Sequence, residues 1–223
     1  MQARDMGVAR PEPRGRPLLA LLALVPLAAC SPYADAERDV AAGGRGLAKL
    51  NPAPKQAYEL VLTLKDAPGP FAIVEGVAQY DVSNYEDCGR ILPATGTAGR
   101  ITSQEPVTLH KVSENEYRGT FYLDRMLDED YYGRGACVWT LTGVGAMLRA
   151  TTSKADTRFL TFVDKEQVEA EKQLTRFYPR ADYPRIAEIP GYGASGQDDP
   201  TRYHADLRNA LFSSTTTVQK LVP

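Results

Sequence analysis

His110 and His204 are the only two histidines of this chain, and they bound its acid–base chemistry at the outset. The one stretch that could use a histidine for nucleophilic attack is Gly193-Ala194-Ser195-Gly196-Gln197. It approaches the Gly-x-Ser-x-Gly turn, which exposes a serine on a strained strand-to-helix bend. Gln197 stands where the last glycine should be, and no buried strand precedes the turn. His204 would have to act as base with Asp206 behind it, as in a serine hydrolase. A solvated glycine loop beside a surface histidine accounts for the same residues. His110, between Leu109 and Lys111, alternates to the solvent side of a strand. No second ligand sits at zinc spacing from it. The reading is therefore non-enzymatic, with no catalytic residue, no metal and no cofactor.

Acid is the other dense chemistry. Asp124, Asp128, Glu129 and Asp130 fall within seven residues and run into Tyr131, Tyr132 and Gly133. Calcium would want oxygen ligands at positions 1, 3 and 5 with glycine at 6, and that spacing is missing. A solvated hairpin tip is one reading. The other is a recognition loop, because acid beside tyrosine on a loop carried by a rigid sheet suits a protein contact. Asp124, Asp128, Glu129, Asp130, Tyr131 and Tyr132 are the candidate partner-binding residues. Tyrosine, at 12 against 6 Phe and 1 Trp, fits a contact surface and a β-sandwich equally.

The amino terminus has its own chemistry. Arg4, Arg10, Arg14 and Arg16 precede an apolar run from Leu18 to Leu27, and Leu27-Ala28-Ala29-Cys30 ends it. A basic leader, a short apolar core and small residues at the cut mark a secretory signal. The run is too short to span a bilayer, which takes about 20 apolar residues. Either Met1 or Met6 would serve as the start of this leader. Leu-Ala-Ala-Cys resembles the lipobox of bacterial lipoproteins. The resemblance implies cleavage before Cys30, a diacylglyceryl thioether on its sulfur and acylation of the new amino terminus. Several acyl chains of the palmitate kind would hold the protein on a bilayer, where one gives only reversible binding. Ser31 after the cysteine implies transfer to the outer membrane, facing the periplasm.

Two consequences follow from that resemblance. Without residues 1–29, the 26 basic and 28 acidic residues become 22 and 26, a formal charge of −4. That balance argues against nucleic acid as a partner. With Cys30 lipidated, Cys88 and Cys137 remain as a pair in an oxidising compartment, where disulfides persist. Two free buried thiols are the alternative. A bridge closing a loop of about 50 residues would add roughly 4 kcal/mol.

The elements that must position these groups are mostly strands. Residues 30–55 read as a flexible tether, rich in Ala, Gly and charge and closed by Asn51-Pro52-Ala53-Pro54. Period-two alternation then marks Ala57–Lys65 and Ala136–Leu148. Phe71–Val82 reads as a long strand rich in Val, Ile, Phe and Tyr, and Arg158–Val163 completes the set. Gly76 suggests a bulge or bend. Pro106–Val112 and Tyr117–Leu123 form an expected hairpin, with the segment before Pro106 irregular. Asp164 and Gln167 look like a capping pair for a surface helix over Lys165–Phe177, and a second short helix is expected over Pro200–Phe212. Ser214–Leu221 ends the chain as a strand-like tail. Turn signals every 8–12 residues predict one antiparallel β-sandwich over 56–223, immunoglobulin-like or transthyretin-like in shape, with one or two peripheral helices.

The stretches DAPGPFAIVEGVAQYDV, YRGTFYLD and DEDYYGRGACVW are similar to a group of proteobacterial lipoproteins. Among tethered all-β lipoproteins of this kind, the resemblance implies an immunity protein or inhibitor that occludes a secreted effector. Leu50-Asn51-Pro52 followed by Tyr58-Glu59-Leu60 also resembles the opening of the lipoprotein of the type VI secretion membrane complex, without its Ser-Pro-Val run. That likeness implies the alternative, a structural lipoprotein of a secretion or envelope complex. Either way the expected partners are the lipid bilayer, through Cys30, and another protein.

Overall fold

Alternating apolar residues build two five-stranded sheets in the computed structural model, which describes residues 32–222. The leader and the lipobox cysteine, Cys30, lie outside the described residues. In β1 (Ala57–Lys65) the residues Tyr58, Leu60, Leu62 and Leu64 all face inward and are buried. The next strands are β2 (Ile73–Val82), β3 (Thr102–Val107), β4 (His110–Lys111) and β5 (Glu116–Tyr122). They are followed by β6 (Trp139–Arg149), β7 (Arg158–Asp164), β8 (Leu174–Pro179), β9 (Gly193–Ala194) and β10 (Leu211–Lys220). One sheet has the order β4-β5-β1-β10-β8 and the other β3-β2-β6-β7-β9. All pairings are antiparallel except the two-residue contact of β7 with β9, so the expected sandwich stands, with one parallel edge.

Its interior has two halves. At one end Phe159 is ringed by Phe71, Tyr178 and Phe212, with centroids 5.8, 5.5 and 5.1 Å away. Burial pushes the Tyr178 phenol up to about 12, and its hydroxyl donates to the Leu160 carbonyl at 2.8 Å. At the other end Leu60, Tyr80, Trp139 and Val218 pack with the Cys88–Cys137 disulfide. The two sulfurs are bonded and both cysteines are fully buried, with Cα atoms 5.3 Å apart. Cys88 ends a short helix, α2 (Tyr85–Cys88), and Cys137 stands just before β6. Between the halves, the Thr161 and Thr216 hydroxyls meet at 2.6 Å and join the sheets.

Besides β3, which begins at Thr102 inside the stretch expected to be irregular, the structure departs from the sequence reading in four places. The tether reading fails beyond Pro32, because α1 (Pro32–Ala41) precedes a segment packed on the sandwich, and the compact unit begins at Pro32. Tyr33 stacks on Tyr132 at 5.7 Å, and the Arg90 guanidinium lies 5.3 Å above the Tyr33 ring. Leu50 bridges Met126, with Asn51 N–H donating to the Arg125 carbonyl at 2.8 Å.

Second, the helix over Lys165–Phe177 is shorter than expected. The capping box of Asp164 and Gln167 forms, but α3 spans only Lys165–Glu169. Glu171 takes a left-handed φ of 49°, and the chain then enters β8 against β10. Val168 is wholly buried, so α3 is anchored rather than superficial. Third, the helix over Pro200–Phe212 is a 3₁₀ turn at Pro200–Arg202 and α4 at Ala205–Arg208, because Leu211 onward pairs with β1 and β8.

Fourth, the bulge lies at Thr142, not at Gly76. Gln79 faces Gly143 while Tyr80 faces Leu141, so Thr142 is passed over and the inward set of β6 changes from odd to even residues. Gly76 has another duty. A Cβ there would sit 2.5 Å from the Val107 carbonyl, and one on Gly119 would sit 2.5 Å from the Thr108 carbonyl. These two glycines leave room for the chain to leave β3 and cross to the other sheet. The expected hairpin is accordingly reduced to His110 and Lys111 against Arg118 and Tyr117.

Candidate binding site

The acidic loop is assembled from its own carboxylates. Asp124 accepts from the Lys55 and Gln56 N–H groups at 2.9 and 3.0 Å. Asp128 Oδ1 accepts from the Trp139 N–H at 2.9 Å, fixing the approach to β6. Asp130 Oδ1 takes the N–H groups of Tyr132, Gly133 and Arg134 at 3.2, 2.6 and 3.0 Å. Loss of water pushes the Asp130 carboxyl up, but the backbone N–H groups of residues 132–135 outweigh this and hold it below its usual range. Glu129 pairs with Lys49 at 2.6 Å. The Tyr131 hydroxyl donates to the Leu127 carbonyl, and Tyr132 lies under Tyr33. All six candidate recognition residues thus have partners inside the chain. The short polar side chains satisfy backbone groups of an irregular turn.

The two histidines stand apart from any such framework. His204 Nδ1 lies 3.2 Å from Asp206 Oδ2, with both side chains largely in solvent, and His110 is exposed on β4. Among the described residues no cluster of three or more His, Cys, Asp or Glu side chains is placed to hold a metal ion. Among them, too, no helix is long and apolar enough to cross a membrane.

A cleft of about 480 Å³ lies where the edges of β3 and β5 face each other. The crossing at Thr108 and Leu109 creates it, since the chain leaves the line of β4 and vacates the place beside the second half of β5. Tyr80, Val107 and Phe121 form the apolar wall, and His110, Arg118 and Arg125 stand at its rim. Arg118 is shared between Glu59 at 3.2 Å and Glu116 at 2.7 Å. The Arg125 side chain has no hydrogen bond or ion pair among the described residues, although its charge acts on both Tyr80 and Glu105.

Glu105 closes one end of the cleft. Its carboxylate is almost fully buried, accepting from Arg45 Nε at 3.0 Å, Arg45 Nη2 at 2.8 Å and Ser103 Oγ at 2.7 Å. Burial pushes its carboxyl up, but these donors and the charges of Arg45 and Arg125 prevail and hold it below its ordinary value. Tyr80 is pushed well above the usual phenol range by burial, so it stays protonated and donates to the Tyr122 carbonyl at 2.6 Å.

The sequence offered two signals for this cleft, both readable only once pairing is known. Pro106 cannot donate to a ladder and therefore belongs on an edge strand, which is the position of β3. Gly119 within the apolar Tyr117–Phe121 run marks a close backbone approach. Compared with protein-family models, with curated proteins and with solved structures, the chain matches none.

Proposed function

We propose that this chain is a lipid-anchored envelope protein that works by binding another protein, and that it protects the cell by occluding a secreted effector. The observation that carries the reading is the union of a lipobox-like cysteine with a disulfide-pinned sandwich holding an open, cation-rimmed cleft. A rigid scaffold keeps such a surface pre-organised, which limits the ordering entropy lost on association. The anchor keeps it at the membrane, where an incoming effector must pass. The acidic loop supports the scaffold, so the cleft replaces it as the contact surface in this reading.

Contact between sibling cells tests the protective role. A strain lacking the gene, grown against its parent on a solid surface, should decline and be rescued by the full chain. In well-mixed liquid culture the two should coexist. Equal survival on the surface would remove the immunity reading.

A further inference from the structure

We infer that the cleft is a vacant strand position, and that it receives an extended, acid-bearing peptide segment of the partner protein, which pairs with β5 and places a carboxylate on Arg125. This rests on the protein-binding reading above and names what the partner presents.

The ladder supplies the first argument. Leu64 N–H donates to the Asn115 carbonyl and Leu123 N–H to the Gln56 carbonyl, so the odd residues of β5 bond to β1. Its even residues therefore aim N–H and C=O at the outer edge. Glu116 and Arg118 find β4 there, with Val112 N–H donating to the Glu116 carbonyl. Past Arg118 the chain has crossed to the other sheet. The Tyr122 carbonyl is taken by the Tyr80 hydroxyl. That leaves both backbone groups of Thr120 and the N–H of Tyr122 with no partner among the described residues. Unpaired edge groups are the template on which a peptide adds a strand.

The lining supplies the second. Residues from both faces of β5 border the cleft: Phe121 from the buried face, Arg118 and Thr120 from the exposed one. A cavity open on both faces of a sheet, in the plane of that sheet, has the shape of a missing strand. An occupant in that plane would alternate, one side chain toward Tyr80 and Phe121 and the next outward.

Charge supplies the third. Arg118 already shares two carboxylates, whereas Arg125 has none of its own among the described residues. A guanidinium in that state binds a carboxylate through two parallel hydrogen bonds. The occupant is thus acidic.

Selection from a phage-displayed library of random octapeptides on the full chain, held in detergent micelles, tests this. The expected enrichment is a consensus of alternating apolar residues with one fixed Asp or Glu. The enriched peptide, made synthetically, should lose at least about tenfold in affinity against Arg125→Glu, and again when its alternate amides are N-methylated. Thr120→Pro should act likewise, because the N–H it removes makes no bond among the described residues. Should that variant fail to fold, Arg125→Glu and the methylated peptide carry the test. No consensus, a consensus without acid, or affinity indifferent to both changes would overturn the inference. So would a dimer that Arg125→Glu dissociates, since a second copy would then be the occupant. Protection on surfaces with no peptide selected would remove the strand position and leave the binding role intact.

Discussion

Arg45 grips Glu105 with two nitrogens, one on each carboxylate oxygen, across sixty positions of sequence. Glu105 is the most deeply buried acid that contacts the cleft, and Arg45 comes from a stretch whose composition resembles a spacer. Removing the arginine would strand a carboxylate that retains only Ser103. Arg45 is itself more than a third exposed, so the cost is set below that of a fully buried pair, at about 2 kcal/mol. Arg45→Ala should melt about 4–8 °C lower by calorimetry. An unchanged transition would mean that Arg45 only decorates the surface.

The same pair makes stability depend on acid. Because the folded protein holds the Glu105 carboxyl below its ordinary value of 4.5, the stabilisation is complete above that value. It is lost as pH falls through the lower folded-state value. Urea midpoints measured downward from neutral pH should drop below about pH 4.5, and Glu105→Gln should flatten that drop. A variant that keeps the full acid slope would place the responsible proton elsewhere.

The disulfide closes a loop with a sequence separation of 49, which the chain-entropy argument values at about 4 kcal/mol. Cys88→Ala with Cys137→Ala should therefore unfold at markedly lower urea. Thiol blocking before denaturation should label neither cysteine of the oxidised wild-type domain, as read by mass spectrometry.

Asp128 separates architecture from recognition. Its carboxylate caps the Trp139 N–H at the root of β6, so Asp128→Ala should cost about 1 kcal/mol of stability. Partner binding by the folded fraction should be untouched. The reverse pattern, full stability with lost binding, would return the acidic loop to the contact surface.

Cys30→Ser tests the anchor. Only a thiol can carry the thioether-linked lipid, so a clickable fatty acid fed to cells should mark the wild-type chain and not the variant. The variant should accumulate as uncleaved precursor. Label on the serine form would defeat the lipobox reading.

Where a feature was local, the residues announced it. Alternation placed β1 to the residue and β6 to within three, because a half-buried strand imposes its period on its own side chains, and strand-forming composition placed β2 to within two. The capping box of Asp164 and Gln167 was legible for the same reason. Features that depend on distant partners were not. Leu174–Pro179 follows helix-favouring Glu and Lys, and only its pairing to β10, with the Thr175 and Thr215 hydroxyls 3.0 Å apart, makes it a strand. Arg45 reads as a spacer charge until Glu105 is found beside it. The carboxylates of 124–130 look available because sequence lists their charge and not the N–H groups that consume it. The cleft arises from a sheet crossing at Thr108 and Leu109, which no local pattern encodes.

If Cys30 carries the proposed lipid, the docking of α1 and of the segment around Leu50 shortens the leash of this protein. Twenty-five residues free to extend could carry a domain about 80 Å from an anchor at Cys30. With Tyr33 held against Tyr132, and Asn51 hydrogen-bonded to Arg125, little of that length can be paid out. Two peptide links separate Cys30 from the start of the helix. Under the proposed lipid anchor at Cys30, such a domain would patrol a thin layer at the bilayer rather than the width of the compartment. On that proposal, whatever it binds must come to that surface, and lengthening the connection by a flexible insert after Ser31 would change where the protein can act without altering what it can hold.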